Sequence, residues 1–309
     1  MKRRIALLAL LTLALNLFAQ LEHEIVLETE TGNIKGTLLI PSTAEKTAVV
    51  LIIAGSGPTD RNGNNPMMTN NSLKMLAEGL QKNGIASLRY DKRGIGESTN
   101  SGLQEIDLRF EHYVKDVEDW IDLLNKDERF SEIIVLGHSE GSLIGMIASQ
   151  KSEVEKFISL AGVGIPAGDI IREQLKAQPP VVLDHSLPII EKLESGETVE
   201  DVPLMLYSLF RPSVQPYMIS WFRYNPQKEI AKLDKPILII QGTTDIQVSV
   251  SNADQLAMAN EKSQKLIIEG MNHVLKESEA DRQKNIQTYA MPDLPLKKEL
   301  IGSIVGFIE

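Results

Sequence analysis

Residues 133–141 read Ile-Ile-Val-Leu-Gly-His-Ser-Glu-Gly, an apolar run of β type that stops at Gly-x-Ser-x-Gly. A buried strand feeding straight into that pentapeptide turns sharply and lifts the serine hydroxyl above the sheet edge. Gly137 and Gly141 are expected to be small because strand and following helix approach too closely for larger side chains. The stretch from Leu143 to Ser152 reads as that helix. Ser139 is therefore expected on a strained turn, its hydroxyl facing solvent and substrate. Gly-x-Ser-x-Gly alone is common by chance; a strand before it and a helix after it make it specific.

A serine hydroxyl needs a base at neutral pH, and the base needs an orienting acid. The strand–turn–helix motif carries them in the chain order serine, acid, histidine. Pro236 to Gly242 is a second buried-strand pattern, followed by Thr243-Thr244-Asp245. Lys265 to Glu269 is a shorter one, followed by Gly270-Met271-Asn272-His273. Both polar groups thus fall just past a strand's carboxyl end, where open parallel sheets place their sites. Asp254 and Asp234 compete with Asp245, but neither follows a strand directly. Of the five histidines, His23 is near the N-terminus, His112 opens a helix, His138 lies inside the motif and His185 sits in a proline-rich stretch. Only His273 follows a strand late in the chain. Ser139, Asp245 and His273 form the expected catalytic triad.

Four stretches together resemble the α/β-hydrolase superfamily, in its serine-aminopeptidase-like and carboxylesterase-like branch. They are Ile53-Ala54-Gly55-Ser56-Gly57-Pro58, the run from Arg89 to Ser98 (Arg-Tyr-Asp-Lys-Arg-Gly-Ile-Gly-Glu-Ser), the Ser139 turn, and the Asp245 and His273 loops. The likeness runs from about Leu21 to the C-terminus. It implies an α/β fold with a mostly parallel sheet flanked by helices and a helical cap insertion. It implies acyl-enzyme chemistry, with carboxylic ester hydrolysis first, aminopeptidase or amidase activity second, and acyl transfer third. A non-catalytic binding role fits least with an intact triad. The developing oxyanion would be held by the backbone N–H of Glu140 and by one from the loop after the Ala48–Ala54 run. Ala54-Gly55 stands where the family has His-Gly or a similar pair. By that match Ser56 N–H is the second donor, with Gly57 as its neighbouring alternative.

Two local readings stay open. The Glu140 carboxylate either turns along its helix, favoured by the N-terminal dipole, or recognises a cationic group such as a free α-amine. The polar loop from Pro58 to Pro66 either bonds to itself as a turn or brings Asp60 and Arg61 to the substrate, with Gly57 beside them. Asp91-Lys92-Arg93-Gly94-Ile95-Gly96 lacks the third glycine and the following helix of a dinucleotide loop, and reads as a structural turn. No metal-binding or phosphate-loop motif is present, so no cofactor and no metal are expected.

The chain has 309 residues and a formal net charge of −10. Lys2, Arg3 and Arg4 precede an apolar run from Ile5 to Phe18, then Ala19 and Gln20, the pattern of a cleaved signal peptide over residues 1–20. That run is shorter than the roughly twenty residues that span a bilayer. Export to the periplasm or the medium is expected, without stable membrane insertion after cleavage. There is no cysteine, so disulfides, thiolate chemistry and a lipid-modified cysteine are excluded. The acidic balance and lack of a basic patch argue against nucleic acid as a partner; a small ester or amide is the expected one.

Residues 21–309 read as one α/β domain. Ile25 to Ile40 forms two strands around Thr31-Gly32-Asn33. Ala48–Ala54, Ile85–Tyr90 and Phe157–Ala161 are further strands. Ser72–Lys82 and Phe110–Leu124 carry helical apolar spacing, and Leu296–Ile308 reads as a last helix. Between about 164 and 225 the alternation fails amid seven prolines, with helix-like pieces at Ile170–Ala177 and Pro188–Glu194. Leu204, Leu206, Leu209, Phe210, Tyr217, Trp221 and Phe222 give that stretch too much apolar surface for a disordered linker, so it is expected to fold as a cap.

Overall fold

The computed structural model describes residues 22–42, 45–151 and 153–309; the leader read over residues 1–20 lies outside them. Along the described chain the strands are β1 (Glu22–Thr29), β2 (Gly32–Leu39), β3 (Thr47–Ile53), β4 (Ala86–Tyr90), β5 (Phe130–His138), β6 (Lys156–Leu160), β7 (Ile237–Gly242) and β8 (Ser263–Ile268). The helices around the first five strands are α1 (Ser72–Lys82), α2 (Phe110–Asn125) and α3 (Glu140–Ala148). Between β6 and β7 come α4 (Ala167–Leu175), α5 (Pro180–Glu194), α6 (Tyr207–Phe210), α7 (Gln215–Phe222) and α8 (Pro226–Ile230). Then follow α9 (Val250–Ala259), α10 (Arg282–Gln287) and α11 (Lys298–Ile308).

The strands form one sheet in the order β1-β2-β4-β3-β5-β6-β7-β8. β1 and β2 pair antiparallel, as do β2 and β4. Every pairing from β4 through β8 is parallel. A parallel sheet is buried on both faces, which explains the unbroken apolar run of β3. Val49, Leu51 and Ile53 point into the layer packed by α2 and α3. Val50, Ile52 and Ala54 point the other way, against Leu73, Leu76 and Leu80 of α1 and Leu300 and Ile304 of α11. Each such buried aliphatic side chain contributes about 1.5–3 kcal/mol.

The elbow shows why its glycines are required. A Cβ on Gly137 would lie 2.2 Å from the Gly141 carbonyl oxygen, and one on Gly141 would lie 2.4 Å from the Ile53 carbonyl oxygen. Ser139 adopts φ 55° and ψ −122°, a conformation that non-glycine residues rarely hold. The whole change of direction falls on this residue. Helix α3 therefore starts at Glu140, three positions ahead of the stretch that its sequence suggested.

The segment between β6 and β7 is folded. α4, α5 and α7 pack on one another, and α7 rests on α2. Leu206, Phe210 and Tyr217 are buried there, whereas Leu204 is 89 % exposed. α5 begins eight residues earlier than its sequence suggested: Pro180 takes the first helical position, and Pro188 lies inside the helix. Proline suits the first turn because no intrahelical partner awaits its missing N–H. At Pro188 the same defect leaves the carbonyl one turn back without its helical donor.

Candidate active site

The C-terminal ends of β3, β5, β7 and β8 carry the polar groups singled out from sequence. Asp245 follows β7, and its carboxylate is completely enclosed. One oxygen accepts the backbone N–H groups of Gln247 (2.8 Å) and Val248 (2.9 Å). The other accepts Gln241 Nε2 (2.9 Å) and His273 Nδ1 (2.8 Å). Burial works to raise its pKa, but the His273 charge and hydrogen bond, helped by the two backbone donors, hold it below the ordinary carboxylate value. A carboxylate can only accept, so His273 Nδ1 is the donor of this bond.

His138, the residue before the serine, packs its ring at 4.8 Å from the His273 ring, tilted by 49°. Its Nε2–H donates to the His273 backbone carbonyl at 2.8 Å. Burial, then the neighbouring His273, pushes the His138 pKa from 6.5 down to about 3. His138 is thus a neutral tether between the elbow and the histidine loop.

Ser139 opens onto a cavity of about 670 Å³ that Ser56, Gly57, Lys92 and Glu140 also line. Among the described residues its hydroxyl makes no hydrogen bond to His273, and the cavity walls include neither His273 nor Asp245. The acid–base half is therefore closed, and its link to the serine is open. The backbone N–H groups of Glu140 and Ser56 donate to no acceptor among the described residues. A Cβ on Gly55 would sit 3.1 Å from Ser139 Cβ, so the Gly55–Ser56 turn lies against the elbow itself. Thr59 Oγ1 donates to the Ser56 carbonyl at 2.9 Å and fixes that turn.

Glu140 neither follows its helix into solvent nor stands free. It is buried, and its carboxylate accepts Lys92 Nζ at 3.2 Å on one oxygen and the Tyr217 hydroxyl at 2.6 Å on the other. Lys92 also donates to the Gly55 carbonyl, and its ammonium stands 5.0 Å from the Tyr113 ring centre. Burial, then the Glu140 charge, drives the Tyr217 pKa well above its ordinary value, so the hydroxyl keeps its proton. Sequence reading missed Lys92 and Tyr217. The available signal was three consecutive charges, Asp91-Lys92-Arg93, directly after a buried strand. All three are buried.

Gly57 borders the cavity; Asp60 and Arg61 do not. Asp60 Oδ1 accepts the N–H groups of Asn62 (2.8 Å) and Asn64 (2.9 Å). Arg61 pairs with Asp91 and Glu97. The expectation that these two side chains meet substrate gives way to the self-bonded turn, because their polar atoms are already engaged. Asp91 also accepts the Arg61 and Glu97 N–H groups, and a Cβ on Gly96 would lie 2.4 Å from its carboxylate. The run after β4 is a structural turn. No group of metal-ligating side chains occurs among the described residues.

The cap closes the cavity with Ile170 and Ile171 of α4, Val214, and Met218 and Trp221 of α7. Its polar end is Arg211, which bonds both oxygens of Glu105. The Arg211 bond is the main influence that holds Glu105 below the ordinary carboxylate range.

Residues 68–182, which include the elbow but neither Asp245 nor His273, match the family described as serine aminopeptidase S33. Esterase EstD of Thermotoga maritima is 24% identical over 251 residues, covering 79% of this chain. The chain spans 58% of the length of that relative. Est1E of Butyrivibrio proteoclasticus, solved with ferulic acid bound, superposes with a TM-score of 0.62 at 18% identity over 92% of this chain and 99% of its own. The Pyrococcus furiosus esterase Pf2001 gives a TM-score of 0.59 at 15% identity over 94% of this chain and 91% of its own. With a sheet of this order and a serine elbow at its centre, the chain has the α/β-hydrolase fold.

Proposed function

We propose that the protein is a serine hydrolase that cleaves carboxylic esters through an acyl-enzyme. One observation carries this: Ser139, on the strained turn after β5, opens onto an apolar cavity that Ser56 and Glu140 also line, their backbone N–H groups donating to no acceptor among the described residues, while at the same sheet edge a buried carboxylate orients His273. In the reaction Ser139 Oγ attacks the ester carbonyl while His273 Nε2 takes its proton. Asp245 stabilises the imidazolium that results. The N–H groups of Glu140 and Ser56 receive the oxyanion; such donors contribute about 3–4 kcal/mol each to the transition state. The tetrahedral adduct expels the alcohol, which His273 protonates, and water repeats the cycle on the acyl group. The Ser139–His273 hydrogen bond closes as substrate binds, as is common for catalytic contacts that are loose in the free protein.

The S33 match over residues 68–182 favours amide or aminoacyl cleavage as a second activity. Recognition of a free α-amine needs an acidic group without a cation of its own, and both carboxylates in the cavity wall are already paired with one. Glu140 holds Lys92 and Tyr217, and Glu105 holds Arg211. Neutral esters with an apolar acyl group suit such a wall better. The test is a panel of p-nitrophenyl esters beside aminoacyl anilides, with fluorophosphonate labelling of wild type and Ser139→Ala. Anilide cleavage faster than ester cleavage would reverse the assignment, and no labelling of folded wild type would remove it. We further propose export through the leader over residues 1–20, tested by N-terminal sequencing of the mature protein from cell fractions; an intact Met1 in the cytoplasm would overturn it.

A further inference from the structure

Lys92 is 1 % exposed and Glu140 is 2 % exposed at their side chains. Burying an ion pair is costly and is weak grounds for stability. The placement of this pair assigns it a task at the site. Lys92 Nζ bridges the two backbone segments that carry the free N–H groups, bonding the Gly55 carbonyl on one and the Glu140 carboxylate on the other. The Gly55 carbonyl and the Ser56 N–H belong to one peptide plane and point in opposite directions. A cation fixed on the carbonyl therefore fixes the N–H on the opposite side and polarises it. The same cation neutralises a carboxylate that otherwise lies one residue from the nucleophile, where it would oppose the oxyanion. Tyr217 holds the second Glu140 oxygen from the cap, and the Tyr113 ring faces the ammonium.

We propose that Lys92 is a positioning residue of the acyl-transfer site, which sets the Gly55–Ser56 peptide and cancels the Glu140 charge so that both oxyanion donors act at full strength. This rests on the serine-hydrolase assignment above. Lys92→Met should lower kcat for a p-nitrophenyl ester about a hundredfold, the scale of losing one oxyanion donor, with KM changed less than about threefold. Lys92→Met/Glu140→Gln removes the stranded carboxylate. It should recover at least about tenfold in kcat over the single variant yet stay below wild type, because the peptide is still unheld. Fluorophosphonate labelling rates should follow the same order. A Lys92→Met enzyme with unchanged kcat, a loss confined to KM, or a double variant no better than the single one would overturn the proposal. If Lys92→Met fails to fold, the neutral double variant decides it, and wild-type kcat there would overturn it. Wild type without ester turnover or labelling would remove the hydrolase assignment and this role together. Turnover that ignores Lys92 removes the role alone.

Discussion

Two enclosed carboxylates stand at the sheet edge that carries the serine, and they do opposite things. Asp245 accepts three neutral donors and one imidazole N–H. Its negative charge has no permanent counter-ion and is available to a proton arriving on His273. Glu140 meets a lysine and a tyrosine, so its charge is already cancelled when substrate enters. The two residues are the same chemical type at the same sheet edge. What separates them is the identity of the groups on their lone pairs: both sets bond a carboxylate, but only the lysine brings a full opposite charge.

The strongest challenge to this contrast is the proposed nucleophile. Ser139→Ala should reduce kcat by about a millionfold, as loss of a triad serine does elsewhere, and abolish fluorophosphonate labelling; residual labelling at another residue would misplace the site. Asp245→Asn should cost about ten-thousandfold in kcat with little change in the fold, because the amide imposes the wrong imidazole tautomer. A pH–rate profile checks this, and a loss under tenfold would make Asp245 no more influential than Glu140. Glu140→Gln should change kcat/KM by less than about tenfold, and equally for neutral esters and aminoacyl anilides, because the amide oxygen can still accept one of the two donors. A selective loss on aminoacyl substrates would return Glu140 to amine recognition.

Smaller effects lie in stability. The folded pKa of His138 is depressed to about 3 from 6.5. Between those values the unfolded chain binds the proton that the folded protein refuses. The stabilisation is complete above the unfolded value and is lost as pH falls toward the folded one, by about 1 kcal/mol per pH unit. Urea unfolding at about pH 7 and about pH 5 should show this decline, flattened in His138→Asn. Asp60→Ala should leave ester turnover unchanged while costing about 1 kcal/mol of stability, the usual worth of a local side-chain bond. A rise in KM would bring the turn back to the substrate.

The parts of this molecule that sequence reveals are those governed by neighbours in the chain. The elbow is legible because strand, glycine spacing and helix occur within some twenty residues of one another. Asp245 and His273 are legible because each follows its own apolar strand. The polar turn from Pro58 to Pro66 was identified correctly in composition, while its aim depended on Asp91 and Glu97, some thirty residues away. The partners of Glu140 lie 48 and 77 residues from it, and no periodicity encodes them. Lys92 resembles a surface lysine until the sheet brings the end of β4 and the elbow, with β3 between them, to one edge. Helix α5 is only half legible because Pro188 reads as a start, although Pro180 already fills that position.

The hydrogen bond from His138 to the His273 carbonyl joins segments 135 residues apart. One ring thereby couples the displacement of the elbow to that of the loop carrying His273. Thermal motion that shifts one is transmitted to the other. The separation between the Ser139 hydroxyl and the His273 imidazole is thus buffered against fluctuations of the sheet edge, and amide hydrogen exchange in the two segments should open and close in step.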